Sequence, residues 1–253
     1  MKLKSIISNF LNPTYAPVMA HKLKMRLLNQ TIDKKAQAAS LAWCGEVAED
    51  CEPFALQLNA ELWAESKAFA EQQHAHARRT LEHLDASLNG PGHYPLLYFI
   101  TRYRNPEVVV ETGVAAGFST RALLTALKLN GRGHLYSSDF PYFRLDNPEK
   151  FIAVLVEEEL KTNWNLYLEG DRKNLEKILS QVSQVDLFHY DSDKTHAGRA
   201  FAMSMMKDVL TDDSVIIMDD IQDNLFFHDY VKQQGCRYKV FSFEGKYLGA
   251  IGL

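Results

Sequence analysis

The chain is poor in cysteine and in long apolar runs, and both shortages exclude classes of protein. Only three of its 253 residues are cysteine, and no two of them form a CxxC pair, so a disulfide framework and a zinc site are not expected. No apolar run approaches the ~20 residues that a membrane-spanning helix needs. The N-terminus also lacks the long apolar core of a signal peptide. We therefore expect a cytoplasmic protein without a membrane span.

An excess of positive charge is also lacking. The net charge of −4 and the pI near 6.1 argue against general nucleic-acid binding. The chain is 46% hydrophobic and 24% charged, which suits one large soluble domain, or one domain with an added segment. Only residues 1–35 are locally basic. We favour a solvated, partly ordered terminus there, with contact to an anionic surface, a partner subunit or an acidic substrate as the alternative.

The stretch from Val108 to Thr120 has the pattern of a buried strand, a tight turn and the start of a helix. Gly113 and Gly117 permit backbone angles and close approaches that a Cβ would block. Free N–H groups at such a corner bind ligands. Glu111 ends the strand, where a carboxylate repels phosphate but accepts hydrogen bonds from ribose hydroxyls or an ammonium group. The corner therefore favours a cofactor with a sugar, an amino acid moiety and no phosphate.

Strand and helix patterns alternate after residue 94, which predicts a mostly parallel sheet with helices on both faces. The predicted helices include one from Pro148 to Leu160, and a hairpin from Tyr238 to Leu253 would make one edge antiparallel. Residues 36–88 are predicted to be helical. Because Asn89 to Gly92 is a clear break, we expect residues 1–90 to form an arm with a helical cap or dimerisation element, and residues 91–253 to form the catalytic domain.

Acidic residues end four of the five predicted parallel strands: Glu111, Asp139, Asp191 and Asp219. Ligands of open α/β sheets bind at the carboxyl ends of the strands. Like charges gathered there would raise one another's pKa and cost stability, so we expect cations or hydrogen-bond donors between them. Asp139 lies one strand–helix–strand unit after Glu111, where an acid takes both ribose hydroxyls.

The motif from Glu111 to Ser119 resembles the first motif of class I S-adenosylmethionine-dependent methyltransferases, with Ala115 in place of the middle glycine. The spacing, with that glycine missing and a serine after the aromatic residue, is similar to that of the catechol-type small-molecule O-methyltransferases. The resemblance implies a seven-stranded Rossmann-like methyltransferase sheet and S-adenosylmethionine as cofactor. By position it places the following residues at the cofactor: Glu111, Thr112, Gly113, Gly117, Ser119, Thr120, Asp139, Phe140, Gly170, Asp171 and Asp191. Asp171 could instead cap a helix.

Two acidic groups after the fourth and fifth strands resemble the metal-binding set of the same enzymes. The resemblance implies that Asp191, Asp219 and Asp220 hold Mg²⁺, or Mn²⁺ or Ca²⁺, and carboxylate ligation suits these ions. The alternative is a helix cap at Asp191 and a charged turn at Asp219 and Asp220. Lys194 matches the family's lysine base, His196 is a rival base, and Asp191 is a further catalytic candidate.

These features predict an O-methyltransferase that acts on a hydroxyl of a small metabolite, such as a natural-product sugar or phenol, and forms a homodimer through its N-terminal helices. One alternative is a nicotinamide-dependent oxidoreductase on a Rossmann sheet. The other is a non-catalytic protein that binds the cofactor and serves as a partner subunit.

Overall fold

A computed structural model describes residues 2–28, 33–84, 88 and 91–253 of the chain. Its helices are α1 Lys2–Leu11, α2 Ala16–Leu28, α3 Lys34–Val47, α4 Cys51–Leu81, α5 Tyr94–Arg104, α6 Phe118–Asn130, α7 Asp171–Leu179, α8 His196–Met206 and α9 Phe226–Gln234. Its strands are β1 Val108–Thr112, β2 His134–Ser138, β3 Trp164–Tyr167, β4 Leu187–Tyr190, β5 Val215–Met218, β6 Tyr238–Phe243 and β7 Lys246–Ile251. Three short 3-10 turns cover Pro148–Phe151, Glu158–Asn163 and Ile221–Asp223.

The strands form one seven-stranded sheet in the order β3-β2-β1-β4-β5-β7-β6. Strands β1 to β5 run parallel, and the hairpin of β6 and β7 adds an antiparallel edge beside β5. Every residue of β4 and β5 is buried, as expected for central strands with helices on both faces. The Rossmann-like methyltransferase fold predicted from the sequence is therefore confirmed.

The predicted helix from Pro148 to Leu160 is wrong. The chain makes two 3-10 turns there and passes between them through Ala153, whose φ is +56°. The Ala153 amide donates to the carbonyl of Ala115 at 2.8 Å. The Leu155 amide donates to the carbonyl of Ala116 at 3.0 Å. Because backbone donors of this segment are used by the turn after β1, they do not form helical hydrogen bonds.

The helical N-terminal region packs on the sheet domain rather than standing free. The Ser40 hydroxyl on α3 donates to two carbonyls after β5, at 3.0 and 2.9 Å. Glu49, between α3 and α4, bridges to β6 through Phe241. Helix α4 is kinked at Asn59, where φ is −165° and ψ is 101°. The predicted domain boundary includes residues 89 and 90, which, like residues 85–87, lie outside the described residues.

The basic N-terminal segment packs on the rest of the protein, so the expectation of a solvated terminus is wrong. Tyr15 and Met19 are 5% and 6% exposed and form a small apolar cluster with Phe140. The Tyr15 and Phe140 rings meet edge to face at 5.6 Å. The segment therefore covers the loop after β2. Among the described residues, no helix is long and apolar enough to cross a membrane.

Candidate active site

The turn after β1 allows close approach of backbone to backbone. Gly113 has a φ of +90°, and a Cβ there would lie 2.3 Å from the carbonyl oxygen of Asp191. Gly117 has a φ of +98°, and a Cβ there would lie 3.0 Å from the Cα of Ala153. Ala115, which stands where the motif usually has its middle glycine, also has a left-handed φ, +48°. The turn thus keeps the glycine conformation at Ala115 without a glycine.

Glu111 lies behind this turn and not on the wall of the main cavity. Its carboxylate is fully buried and accepts hydrogen bonds from the hydroxyls of Ser119, Thr120 and Ser137 at 2.6, 2.7 and 2.8 Å. Buried donors of this kind satisfy a carboxylate. Thr112 is also fully buried. These residues hold β1, β2 and α6 together, and their predicted contact with a cofactor stays a prediction.

Asp139 lines the cavity and accepts hydrogen bonds from the glycine turn. Its Oδ2 accepts hydrogen bonds from the amides of Val114 and Ala115 at 3.0 and 2.6 Å, and its Oδ1 accepts from the amide of Phe140 at 2.6 Å. Asp171 begins α7 and accepts a hydrogen bond from Ser138 at 2.7 Å. The carboxylates after β2 and β3 therefore face the same space as the glycine turn.

One cavity of about 1380 Å³ runs along the carboxyl ends of β1 to β5. This volume exceeds the usual range of ~300–1,000 Å³ for a single ligand, so it has room for a cofactor and a second molecule. Of the predicted site residues, the cavity is lined by Gly113, Asp139, Phe140, Gly170, Asp171, Asp191, Lys194, Asp219 and Asp220. Its wall does not include Glu111, Thr112, Gly117, Ser119, Thr120 or His196.

Ion pairs dominate the far end of the cavity. The Lys194 ammonium pairs with Asp191 Oδ1 and lies 3.1 Å from Asp220 Oδ2. A second lysine, Lys246 on β7, lies 3.2 Å from Asp220 Oδ1. Burial acts to raise the pKa of Asp220, but the two ammonium groups outweigh it and lower that pKa. Burial also lowers the pKa of Lys194, against the opposing effect of Asp220 and Asp219.

Asp219 is held apart from this cluster. Its Oδ2 lies 3.8 Å from Nε2 of His189, which is fully buried and lies 3.6 Å from Glu111 on its other side. Burial opposes a charge on His189, but Asp219 and Glu111 outweigh it and raise its pKa. A Cβ on Gly92 would come within 2.4 Å of Asp219 Oδ2. Asp219 is therefore enclosed by its neighbours.

Arg199 fixes the turn that carries the two aspartates. It is fully buried, and its Nη2 donates to the carbonyls of Asp219 and Asp220 at 3.0 and 2.7 Å. Asp220 has a left-handed φ of +52°, which costs energy for a residue with a Cβ. The guanidinium from α8 thus stabilises a strained backbone at the end of β5.

These residues do not fit a divalent metal in this arrangement. Metal binding by carboxylates needs several oxygens directed at one point, and the described residues contain no group of three or more His, Cys, Asp and Glu side chains arranged to hold an ion. Asp191 and Asp220 converge on the ammonium of Lys194, while Asp219 faces His189.

The two predicted bases lie in different surroundings. Lys194 lines the cavity, whereas the His196 ring packs edge to face on Phe226 at 5.2 Å. His196 begins α8, whose cap is the hydroxyl of Thr195. The alternative of a helix cap at Asp191 is not what the structure shows.

Several residues that line the cavity were missed by sequence reasoning. His93 precedes α5, is 4% exposed and stacks on Phe243 at 4.1 Å. Burial lowers its pKa to about 4, although Asp219 opposes the shift. Val18 on α2 and Lys246 on β7 also line the wall. No signal in the sequence pointed to either residue.

A family described as "Methyltransferase domain" matches residues 110–221. This range begins in β1 and ends just after the Asp219–Asp220 turn, so it includes the whole parallel part of the site. No curated protein shows significant sequence similarity to the chain.

Several solved structures share the fold at low sequence identity. The O-methyltransferase of Bacillus cereus in complex with SAH is 16% identical, with a TM-score of 0.51, over 76% of this chain and 90% of that chain. The O-methyltransferase TomG of Streptomyces achromogenes in complex with SAM is 16% identical, with a TM-score of 0.51, over 86% of this chain and 97% of that chain. The SAH-bound methyltransferase PaMTH1 of Podospora anserina is 13% identical, with a TM-score of 0.53, over 76% of this chain and 95% of that chain.

The strand order, the glycine turn and the family match all support a methyltransferase. They do not support the alternative of a nicotinamide-dependent oxidoreductase. The resemblance predicted from the motifs is confirmed: residues 110–221 match a methyltransferase domain, and the solved structures that share the fold include methyltransferases with SAM or SAH bound.

Proposed function

We propose that this protein transfers the methyl group of S-adenosylmethionine to a hydroxyl of a small molecule. The observation that carries the proposal is one continuous cavity that joins the glycine turn at Gly113 to the charged cluster at Lys194. Methyl transfer from a sulfonium is an in-line displacement, so donor and acceptor must lie end to end in one space. The cavity provides that space.

We assign the cofactor to the end nearest β1, β2 and β3. Gly113, Asp139, Phe140, Gly170 and Asp171 line it, and the carboxylates supply acceptors for ribose hydroxyls and for the adenine edge. Glu111 and Gly117 do not line the cavity, and their role is to hold the glycine turn in shape. In this assignment some of the predicted residues contact the cofactor, and others only hold the glycine turn in the shape that binds it.

We assign the acceptor to the end lined by His93, Asp191, Lys194 and Phe243. The stacked rings of His93 and Phe243 form an apolar wall that suits a ring-containing acceptor, such as a phenol or a sugar face. The hydroxyl proton goes to a group of the cluster beside it. Because the His196 ring packs on Phe226, we favour Asp191 and Lys194 for that end.

The predicted metal does not enter this mechanism. The resemblance implies a divalent ion at Asp191, Asp219 and Asp220, but the ion pairs of Lys194 and Lys246 already balance much of that negative charge. No step of the proposed reaction is therefore routed through a metal ion.

We also propose that residues 1–90 act as a cap on the catalytic domain and as its dimer contact. Exposed apolar side chains on α3 and α4 support the second role: Leu41, Val47, Leu56 and Leu58. Light scattering of the purified protein tests this, since a monomeric mass at micromolar concentration would contradict it. The predicted cytoplasmic location remains part of this proposal.

Calorimetric titration with S-adenosylmethionine is the direct test of the cofactor assignment. Asp139→Asn should weaken binding by at least tenfold, because it removes a cavity carboxylate that also holds two amides of the turn. Asp186→Asn is the matched control. Asp186 accepts hydrogen bonds from two amides, at 2.8 and 2.9 Å, at the opposite end of β1. Absence of binding heat in the wild type would contradict the proposal.

Transfer itself is tested with labelled methyl donor and a panel of phenols and sugars. Asp191→Ala should retain cofactor binding and lose transfer to any accepted compound. If the cofactor binds and no hydroxyl compound is methylated, the alternative of a non-catalytic binding protein is supported instead.

A further inference from the structure

The charged cluster is assembled around an ammonium group. Lys194 Nζ pairs with Asp191 Oδ1 and lies 3.1 Å from Asp220 Oδ2, so it stands between carboxylates from two different strand ends. Its backbone is fixed as well, because Asn224 Nδ2 donates to the Lys194 carbonyl at 2.7 Å. The Lys194 side chain is 27% exposed and opens onto the cavity.

The charges of this cluster leave little need for a further cation. Asp191 and Asp220 bring two negative charges, and Lys194 and Lys246 bring two positive charges into contact with them, while Asp219 faces His189. A divalent ion among the same oxygens would lie within a few ångströms of an ammonium. The two like charges would repel each other strongly at that distance, because the site is shielded from bulk water.

We infer that the ammonium of Lys194 takes the place of the divalent cation that the resemblance implies, and that Asp191 accepts the proton of the acceptor hydroxyl. The inference rests on the proposed function, and it changes the predicted role of Lys194 from base to fixed positive charge. The geometry carries it, because two of the three carboxylates predicted to bind a metal, those of Asp191 and Asp220, are directed at Nζ.

The reaction balances with these groups alone. The acceptor oxygen, held by an N–H of Lys194, attacks the methyl carbon of the sulfonium. The carbon–sulfur bond breaks, and its electron pair stays on sulfur, which becomes a neutral thioether. The hydroxyl proton passes to the Asp191 carboxylate, and the ether product forms without change of redox state.

Manganese binding tests this inference without knowledge of the acceptor. Mn²⁺ is titrated into the wild type and the variants Lys194→Met and Lys194→Arg, with bound ion measured by electron paramagnetic resonance. We expect no stoichiometric binding below millimolar Mn²⁺ for the wild type or for Lys194→Arg, because arginine keeps the positive charge. Lys194→Met should gain one site, and adding Asp220→Asn to it should weaken that site at least tenfold.

Each contrary outcome overturns the inference. Wild-type binding of one Mn²⁺ that disappears in Asp219→Asn would mean that a metal and not the ammonium balances the acids. Lack of binding by a folded Lys194→Met variant would mean that Lys194 does not stand in a cation site. Calorimetry with S-adenosylmethionine on the same samples tests the proposed function separately, because cofactor binding does not depend on the Mn²⁺ result. The measurement on the wild type remains informative even if a variant misfolds.

Discussion

Ala115 shows how one side chain departs from its motif while the backbone does not. Its φ of +48° lies in the left-handed region, which a residue with a Cβ occupies at a cost of about 1–2 kcal/mol. Its amide bonds Asp139, and its carbonyl accepts from Ala153. The surrounding contacts therefore hold a conformation that alanine by itself disfavours.

We predict that Ala115→Gly stabilises the protein. Relief of the strain outweighs the ~0.4–1 kcal/mol of added freedom in the unfolded chain, so the net gain is about 0.5–1 kcal/mol. Urea unfolding measures the change. Ala116→Gly, one residue on and fully buried, has no positive φ to relieve and should lose stability. Equal losses in both variants would mean that Ala115 is not strained.

His93 makes stability depend on pH. Its pKa is about 4 in the folded protein because burial disfavours the charged ring, against about 6.5 in the unfolded chain. The unfolded state therefore binds the proton first as the pH falls. This contribution to stability is complete above pH 6.5 and is lost progressively towards pH 4, by about 3 kcal/mol in all.

We predict that His93→Gln flattens the pH dependence of unfolding between pH 6.5 and 4. Glutamine has a similar size and polar atoms, but it does not titrate. Denaturant unfolding at several pH values measures the slope in both proteins. His134→Gln is the control, since His134 is a histidine outside the cavity wall. Parallel slopes for wild type and His93→Gln would refute the prediction.

At the scale of elements, the unit of β1, its turn and α6 depends on the absence of a side chain at Gly113. The Asp191 carbonyl after β4 occupies the space that a Cβ would need. The Asp191 carbonyl belongs to the backbone, and a Cβ at residue 113 would be attached directly to the backbone, so neither could move aside as the end of a flexible side chain would. The carboxyl ends of β1 and β4 therefore approach only with glycine there.

We predict that Gly113→Ala lowers stability by about 2–4 kcal/mol and weakens cofactor binding, because it adds a collision to an unfavourable φ. Gly131→Ala separates the two effects. Gly131 also has a positive φ, +70°, but nothing lies within 4 Å of its missing Cβ, so only about 1 kcal/mol should be lost. Similar losses by urea unfolding would show that the collision does not matter.

At the scale of the whole molecule, the cavity is completed by the N-terminus. Val18 on α2 lies beside Gly170 after β3, with its Cγ2 3.2 Å from where a Cβ would stand. Tyr15 packs on Phe140 and bonds Glu149. Side chains more than one hundred residues apart thus form one wall of the proposed cofactor site.

We predict that Tyr15→Ala weakens S-adenosylmethionine binding by about fivefold to tenfold. An edge-to-face aromatic contact contributes about 0.5–1.5 kcal/mol, and Phe140 loses that support when the ring is removed. Tyr15→Phe keeps the ring and should stay within about twofold of wild type by calorimetry. A normal affinity in Tyr15→Ala would mean that α2 does not support the cofactor end.

The order of strands and helices, the glycine turn and the acids at the strand ends could be predicted from the sequence, because hydrophobic periodicity and turn residues are local signals. The resemblance placed Asp191, Asp219 and Asp220 at one metal site with Lys194 as a base beside it, and in the structure Lys194 pairs with Asp191 and Asp220. The helix predicted from Pro148 failed because its amides bond a distant loop, which no local pattern reveals.

Which of these residues face the cavity could not be predicted from the sequence, because it depends on the tertiary structure. The sequence pattern puts both Glu111 and Asp139 at strand ends. In the structure Glu111 lies within β1 opposite Ser137 and is enclosed by hydroxyls, whereas Asp139 follows β2 and lies on the cavity wall. Lys246, from the antiparallel edge, and Val18, from the N-terminus, reach the site through folding alone. Burial and ion pairing depend on contacts between segments far apart in the chain, and a linear pattern does not contain those contacts.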